Sequence, residues 1–318
     1  MGRFVIRRLA GMVAVLFAVS VLAFLIFNVI PSSDPAQRMA GRNSTPQLVA
    51  SITEEWGFDE PLPQQYLTMM GNILSGDVVS YANRENVDER ILEGIPATFS
   101  LCLGAAALWL VFGILFGYLS AVRAGGPLDK TLTALAVTGI SIPVFWLAAV
   151  LLNYLSYQTG LFPSGGYVGL TEEPLEWAYH LILPWVTLAV LQVGFYSRVL
   201  RSNMLDAMGE DYVRTARAKG LGERRVMTRH VLRNSLIPLV TLFALDVGVL
   251  LGGAILIEAT FGLNGVGQYA FESLKGLDLP PIMAIVLFGA FFVVLCNALA
   301  DIAYAFLDPR VKLRTSAR

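Results

Sequence analysis

The chain has 318 residues, of which 55% are hydrophobic and only 15% charged, against about a quarter charged in an ordinary soluble domain. A soluble globular protein is therefore excluded, and the net charge of −1 gives no electrostatic reason to expect a nucleic-acid partner. The two cysteines, Cys102 and Cys296, lie inside apolar runs and are expected to be packing residues rather than disulfide or zinc ligands.

A bilayer core of about 30 Å takes roughly 20 apolar helical residues, so windows free of Asp, Glu, Lys and Arg mark candidate spans. The first window, 9–33, follows Arg3, Arg7 and Arg8. Its apolar run of about 22 residues before Pro31 is too long for the core of a signal peptide and predicts a retained anchor. Residues 31–93 are polar and are expected to fold outside the bilayer, with one helix over 45–55, starting at Ser-Thr-Pro, and a second, amphipathic helix over 64–74. The acidic surplus of this segment fits either a solvated surface or one facing a partner.

The second window is 94–122. The third, 131–171, exceeds one helix, and Gly160, Pro163, Gly165 and Gly166 are expected to close the span near Gln158. The fourth is 177–197, the fifth, 234–257, is interrupted only by Asp246, and the sixth is 279–300. An all-α integral membrane protein with six spans is expected. It divides into an N-terminus over 1–8, a first helix over 9–30, an outer segment over 31–96, the remaining helices over 97–306 and a tail over 307–318. Gly113 with Gly117 and Gly248 with Gly252 have the small-xxx-small spacing that lets helices approach closely, either within the chain or against a partner subunit.

Charge by position fixes the expected orientation, because cytoplasmic segments carry the Lys and Arg excess. Residues 1–8, 123–130, 198–233 and 308–318 together carry +12, and residues 34–93, 172–176 and 258–278 together carry −11. Both termini are expected in the cytoplasm. His180 and His230, the only histidines, then lie on opposite sides and cannot share a metal site or a catalytic dyad.

No nucleophile elbow and no G-x-x-x-x-G-K-[ST] phosphate loop occurs, and no duplicated halves are visible, so no catalytic residue, metal site or ATP site of that kind is expected. Asp246 sits midway through the fifth span, where an ionised carboxylate costs a few kcal/mol. It is expected to face a pathway or a subunit interface, or else to hydrogen-bond to a neighbouring helix.

Residues 198–233 carry nine basic and four acidic side chains interleaved with Ala, Gly, Val and Leu. Within them, 206–219 predicts one or two short helices broken near Gly209 and stopped by Gly220 and Gly222. Such helices have few apolar residues with which to bury themselves, so they are expected to dock in a groove on another protein. A solvated anchor of topology is the alternative.

The string DYVRTARAKGLG over 211–222, followed by RHVLRNSLIP over 229–238, resembles the coupling loop of ABC-importer permeases in the dipeptide and oligopeptide branch. RFVIRRL, IPSSDP, GFDEPLPQQY, SGDVVS, IPATFSL, GISIPVFWL and YAFLDPRV agree with the same family in order along nearly the whole chain. The long segment after the first span is similar to that of the first, B-type permease. Arg214, Thr215 and Ala216 stand where the general importer pattern has Glu-Ala-Ala, and Arg233 replaces a proline, as is usual in the peptide branch.

This resemblance implies a type I importer permease in a prokaryotic inner membrane, with a coupling segment over 204–229 in which Arg214, Thr215, Ala216, Lys219, Gly220 and Gly222 meet an ATPase. It implies a homologous second permease, two ATP-binding subunits and an extracytoplasmic substrate-binding protein. No cofactor would be bound by this chain, ATP and Mg residing on the partner subunits. Di- or oligopeptides are the expected cargo, with nickel chelates, glutathione or oligosaccharides as alternatives in the same family. An ion-coupled secondary transporter using Asp246 is the rival from another class.

Overall fold

The computed structural model describes residues 2–29, 35–40 and 45–307. Among them there is no strand, only an isolated antiparallel bridge between Val79 and Asn86. Helix α1, Gly2–Phe24, runs on into a π turn, Leu25–Val29. Helix α2 is Pro35–Ala40. Helix α3, Pro46–Trp56, starts where its sequence demands: the Thr45 hydroxyl accepts from Leu48 N at 3.3 Å, Pro46 needs no amide partner in the first turn, and Gly57 ends it at φ 65°. Helix α4, Leu62–Ser75, follows. Both helices expected in this segment are present. IPSSDP over 30–35 and the tail after 307 fall almost entirely outside the described residues.

Helix α5, Val87–Val122, is 36 residues and about 54 Å long, and Asn86 caps its start by accepting from Glu89 N at 3.0 Å. Helix α6 is Pro127–Ser141, and α7 is Val144–Leu151, continued by a π segment, Leu152–Gln158. The third window does close near Gln158, but it is not one straight helix, because α6 and α7 meet at 98°. Pro143 is the cause: it supplies no amide hydrogen and drives Ile142 into extended backbone at φ −82°, ψ 125°. Helix α8, Pro174–Met208, has 35 residues.

Helix α9 is Asp211–Ala218. Next come a short α10, Glu223–Arg225, a π segment, Val226–Leu232, and α11, Arg233–Ser235. Helix α12, Ile237–Gly253, departs from these at 46°. Helices α13, Ile255–Phe261, α14, Val266–Gly276, and α15, Leu279–Leu307, complete the order. Among the described residues four helices are long and apolar enough to cross a membrane, and up to six spans result if each bent pair is one span.

The fold is organised on α5 and α8, its most extensively packed pair. A Cβ added at Gly113 would lie 2.7 Å from Tyr196 Cβ, one at Gly117 would lie 2.8 Å from Leu200 Cβ, and Gly104 faces the Trp185 indole. The near-constant offset makes the pair parallel. A Cβ at Gly248 would meet Cys296 Cβ at 2.9 Å on α15. Gly113, Gly117 and Gly248 thus serve packing inside this chain, and the partner-subunit reading of those glycines is not needed. The largest buried cluster joins Trp109 of α5 and Tyr196, Leu200 and Met204 of α8 to Val213, Ala216, Val226, Met227 and Val231.

Candidate functional site

At the end where α8 finishes, the chain turns at Gly209 and Glu210 and re-enters a helix at Asp211. Asp211 in the first turn of α9 and Arg217 in the last both complement the helix dipole. The Thr215 hydroxyl donates to Asp211 O at 2.9 Å. Gly220 stops the helix at φ +77°, where any side chain would be strained, with its N donating to Arg217 O at 2.9 Å and Leu221 N donating to Ala216 O at 3.3 Å. Gly222 O then accepts from Arg225 N at 2.9 Å and Val226 N at 3.1 Å, which starts the next helix. Arg217 forks onto Glu223, Nε to Oε2 at 3.0 Å and Nη2 to Oε1 at 2.7 Å, closing the loop between the two helices.

This hairpin has two faces. Val213, fully buried, and Ala216, 6% exposed, point into the cluster of Leu200, Met204, Val226, Met227 and Val231. The expectation that the segment lacks enough apolar residues to bury itself is corrected here, since two residues spaced three apart seat it on its own chain. Ala216 belongs to that seat rather than to the outer face. Arg214, Thr215, Lys219, Gly220 and Gly222 are exposed, with Arg214 Nη1 3.5 Å from Asp211 Oδ1.

Asp246 is half-buried on α12, and Tyr196 of α8, itself fully buried, donates its hydroxyl to Asp246 Oδ2 at 2.7 Å. The hydrogen bond to a neighbouring helix, one of the readings open from the sequence, is present. His180, near the start of α8, has Nδ1 2.9 Å from Glu176 O, and His230 lies in the π segment after α10. Among the described residues no three His, Cys, Asp or Glu side chains come together as a metal cluster.

Three acids that sequence reasoning missed are buried. Asp129, early in α6, takes a fork from Arg201 of α8, Nε to Oδ1 and Nη2 to Oδ2, both at 2.7 Å, and also accepts from the Ser120 hydroxyl and from Gly125 N. Asp278 accepts from the Ser80 hydroxyl and from Tyr81 N at 2.9 Å, tying the segment before α5 to the start of α15. Burial and the nearby Asp278 carboxylate push the Tyr81 phenol well above its ordinary range.

Glu258, fully buried on α13 beyond the fifth span, accepts from Gln268 N at 3.1 Å at the start of α14, while its Oε1 has no partner. Burial pushes its carboxyl up to about 7, opposed by the polar groups around it, the Thr98 hydroxyl and the Gln268 and Gly267 amides. Gly265 packs directly on Glu258 and Thr98, and a Cβ at Gly267 would lie 3.0 Å from the Glu258 carboxyl carbon. Glycines spaced two apart at a helix start, seven and nine residues after an acid, were the available signal.

The profile of the family described as "Binding-protein-dependent transport system inner membrane component" matches residues 113–313, and the corresponding N-terminal profile matches residues 1–102. The chain belongs to this family. As a membrane component of that kind, it is 36% identical over 316 residues to the oligopeptide transport system permease protein AppB of Bacillus subtilis, covering 98% of this chain and 100% of that one. It is 34% identical over 337 residues to the dipeptide transport system permease protein DppB of Escherichia coli, covering 98% and 99%. A chain from a solved inward-facing structure of the MetNI methionine ABC transporter is 19% identical, with 69% of this chain and 96% of that one covered at a TM-score of 0.56. The membrane component therefore has the all-helical type I importer fold.

Proposed function

We propose that this membrane component is one of two permease subunits of an ATP-driven importer, forming half of the path for di- or oligopeptides delivered by a binding protein. The observation that carries the reading is likeness over the whole length, since relatives named for oligopeptide and dipeptide transport match 98% of the chain. The exposed face of the α9 hairpin supports the division of labour: a rigid helix on a buried seat presents Arg214, Thr215, Lys219, Gly220 and Gly222 outward. Separate ATP-binding subunits dock there, ATP and Mg stay on those subunits, and the second permease completes the path. The +12 against −11 partition supports an inner-membrane chain with both termini and residues 198–233 in the cytoplasm. The acidic outer surface, with an open cleft of about 750 Å³ where Glu85, Glu89, Glu93 and Glu272 outnumber the single Arg90, then faces the binding protein.

Hydrolysis by the assembled, reconstituted complex with its binding protein tests the reading. Peptides should raise it; stimulation by a nickel chelate, glutathione or an oligosaccharide alone would reassign the cargo. Thiol labelling at cysteines replacing Ser44 and Ser316, in a background without Cys102 and Cys296, should report opposite sides of the membrane, and labelling from one side would overturn the orientation.

A further inference from the structure

Asp129 and Arg201 are joined in a way that the packing of an ordinary helix pair does not require. The Asp129 side chain is only 5% exposed and its bonds converge: Arg201 grips both oxygens, Ser120 donates from the last part of α5, Gly125 N donates from the turn between α5 and α6, and the Thr133 hydroxyl, one turn on in α6, donates at 3.4 Å. One carboxylate thus holds α5, the α5–α6 turn, α6 and α8 at a single point. A bidentate guanidinium–carboxylate pair fixes orientation as well as distance, which a lysine at the same place would not. Its position along α8 matters too. Leu200, immediately before Arg201, and Met204, one turn beyond it, are both fully buried in the cluster that also contains Val213 and Ala216 of α9. The seat of the hairpin and the four-way clamp therefore lie on the same stretch of α8.

We propose that Arg201 and Asp129 are positioning residues that make the α5–α6 turn move as one body with the end of α8 and the hairpin seated on it, so that a push on the hairpin reaches α6 as well as α8. The proposal rests on the reading of 211–222 as the coupling segment. Without the fork, the end of α8, with the part of α5 packed on it at Gly117, can shift while the α5–α6 turn and α6 stay behind, and ATP hydrolysis proceeds without moving substrate.

Spin labels at Ala124 in the turn and Asp206 at the end of α8, both exposed, measure this directly in the complete transporter with its ATPases. In the wild type the distance between them should be the same without nucleotide and with ATP trapped. In Arg201→Lys it should broaden or shift between the two states, and transport per ATP hydrolysed should fall about tenfold while both ATPases still copurify. A wild-type distance that changes on ATP trapping overturns the proposal, and so does a wild-type ratio in Arg201→Lys. If Arg201→Lys does not assemble, the wild-type distances and the milder Ser120→Ala decide. The double variant Arg214→Glu, Lys219→Glu separates this proposal from the reading beneath it. If that variant keeps both ATPases and the wild-type ratio, the coupling reading fails and the proposal with it; if it loses the ATPases while Arg201→Lys keeps the ratio, the proposal alone fails.

Discussion

Tyr196 and Asp246 form a hydrogen bond of 2.7 Å between α8 and α12, with the phenol fully buried and the carboxylate half-buried. Tyr196→Phe leaves Asp246 without this donor and should lower stability by about 1–3 kcal/mol, the usual cost of orphaning a buried polar group. Asp246→Asn keeps an oxygen that accepts from the same hydroxyl and should cost less. Thermal unfolding of the purified complex ranks the two variants, and equal losses would mean that the bond does not hold the helices.

The two faces of α9 predict two different failures. Ala216→Glu puts a carboxylate into the cluster around Met204 and Val226 and should unfold or deplete the chain itself, at a cost of several kcal/mol. Lys219→Glu changes an exposed position and should leave the amount and melting temperature of the permease unchanged while weakening its hold on the ATPases. Membrane yield and copurification read the two effects independently.

Glu258 predicts a pH dependence whose sign is opposite to that of a salt-bridged acid. Its carboxyl is raised to about 7 in the folded chain from the ordinary 4.5, so the folded state binds the extra proton between those values. Stability should therefore fall as pH rises from about 4.5 through about 7, by a few kcal/mol in total. Glu258→Gln should flatten that dependence and be the more stable form above pH of about 7. Melting temperatures of both proteins across this range give the comparison.

Gly117 meets Leu200 Cβ and Ser197 O, each at 2.8 Å from an added Cβ. Because Ser197 O is backbone and cannot rotate away, Gly117→Val should push α5 off α8 and cost about 1–3 kcal/mol. Gly220→Ala tests a different property, since open space surrounds it but its φ is +77°; the loss there comes from backbone strain, about 1 kcal/mol. A larger effect at Gly220 than at Gly117 would reverse this assignment.

Much of the architecture was legible because spans and their flanks are written in residue type. Runs without charge marked the helices, Gly209 and Gly220 marked the ends of the hairpin helix, and Thr45 followed by Pro46 marked the start of α3. The 98° break inside the third window was less visible, because its neighbours are as apolar as those of a continuous span and Pro143 alone decides it. The inward turn of Ala216 was missed for a physical reason: in a short polar helix two small apolar residues suffice as a seat only when the rest of the chain supplies the pocket. Asp129 was hidden by its neighbour Lys130, which makes it look like half of a solvated pair, whereas its true partner, Arg201, is 72 positions away.

The most direct measurement is uptake of labelled peptide by vesicles containing this chain, its second permease and the two ATPases, supplied with the binding protein outside and ATP at the ATPase side. Accumulation of intact di- or oligopeptide that requires both ATP and the binding protein, and that is lost in Lys219→Glu, is the predicted result. Uptake that continues without ATP, driven instead by an imposed ion gradient and abolished in Asp246→Asn, would contradict the account.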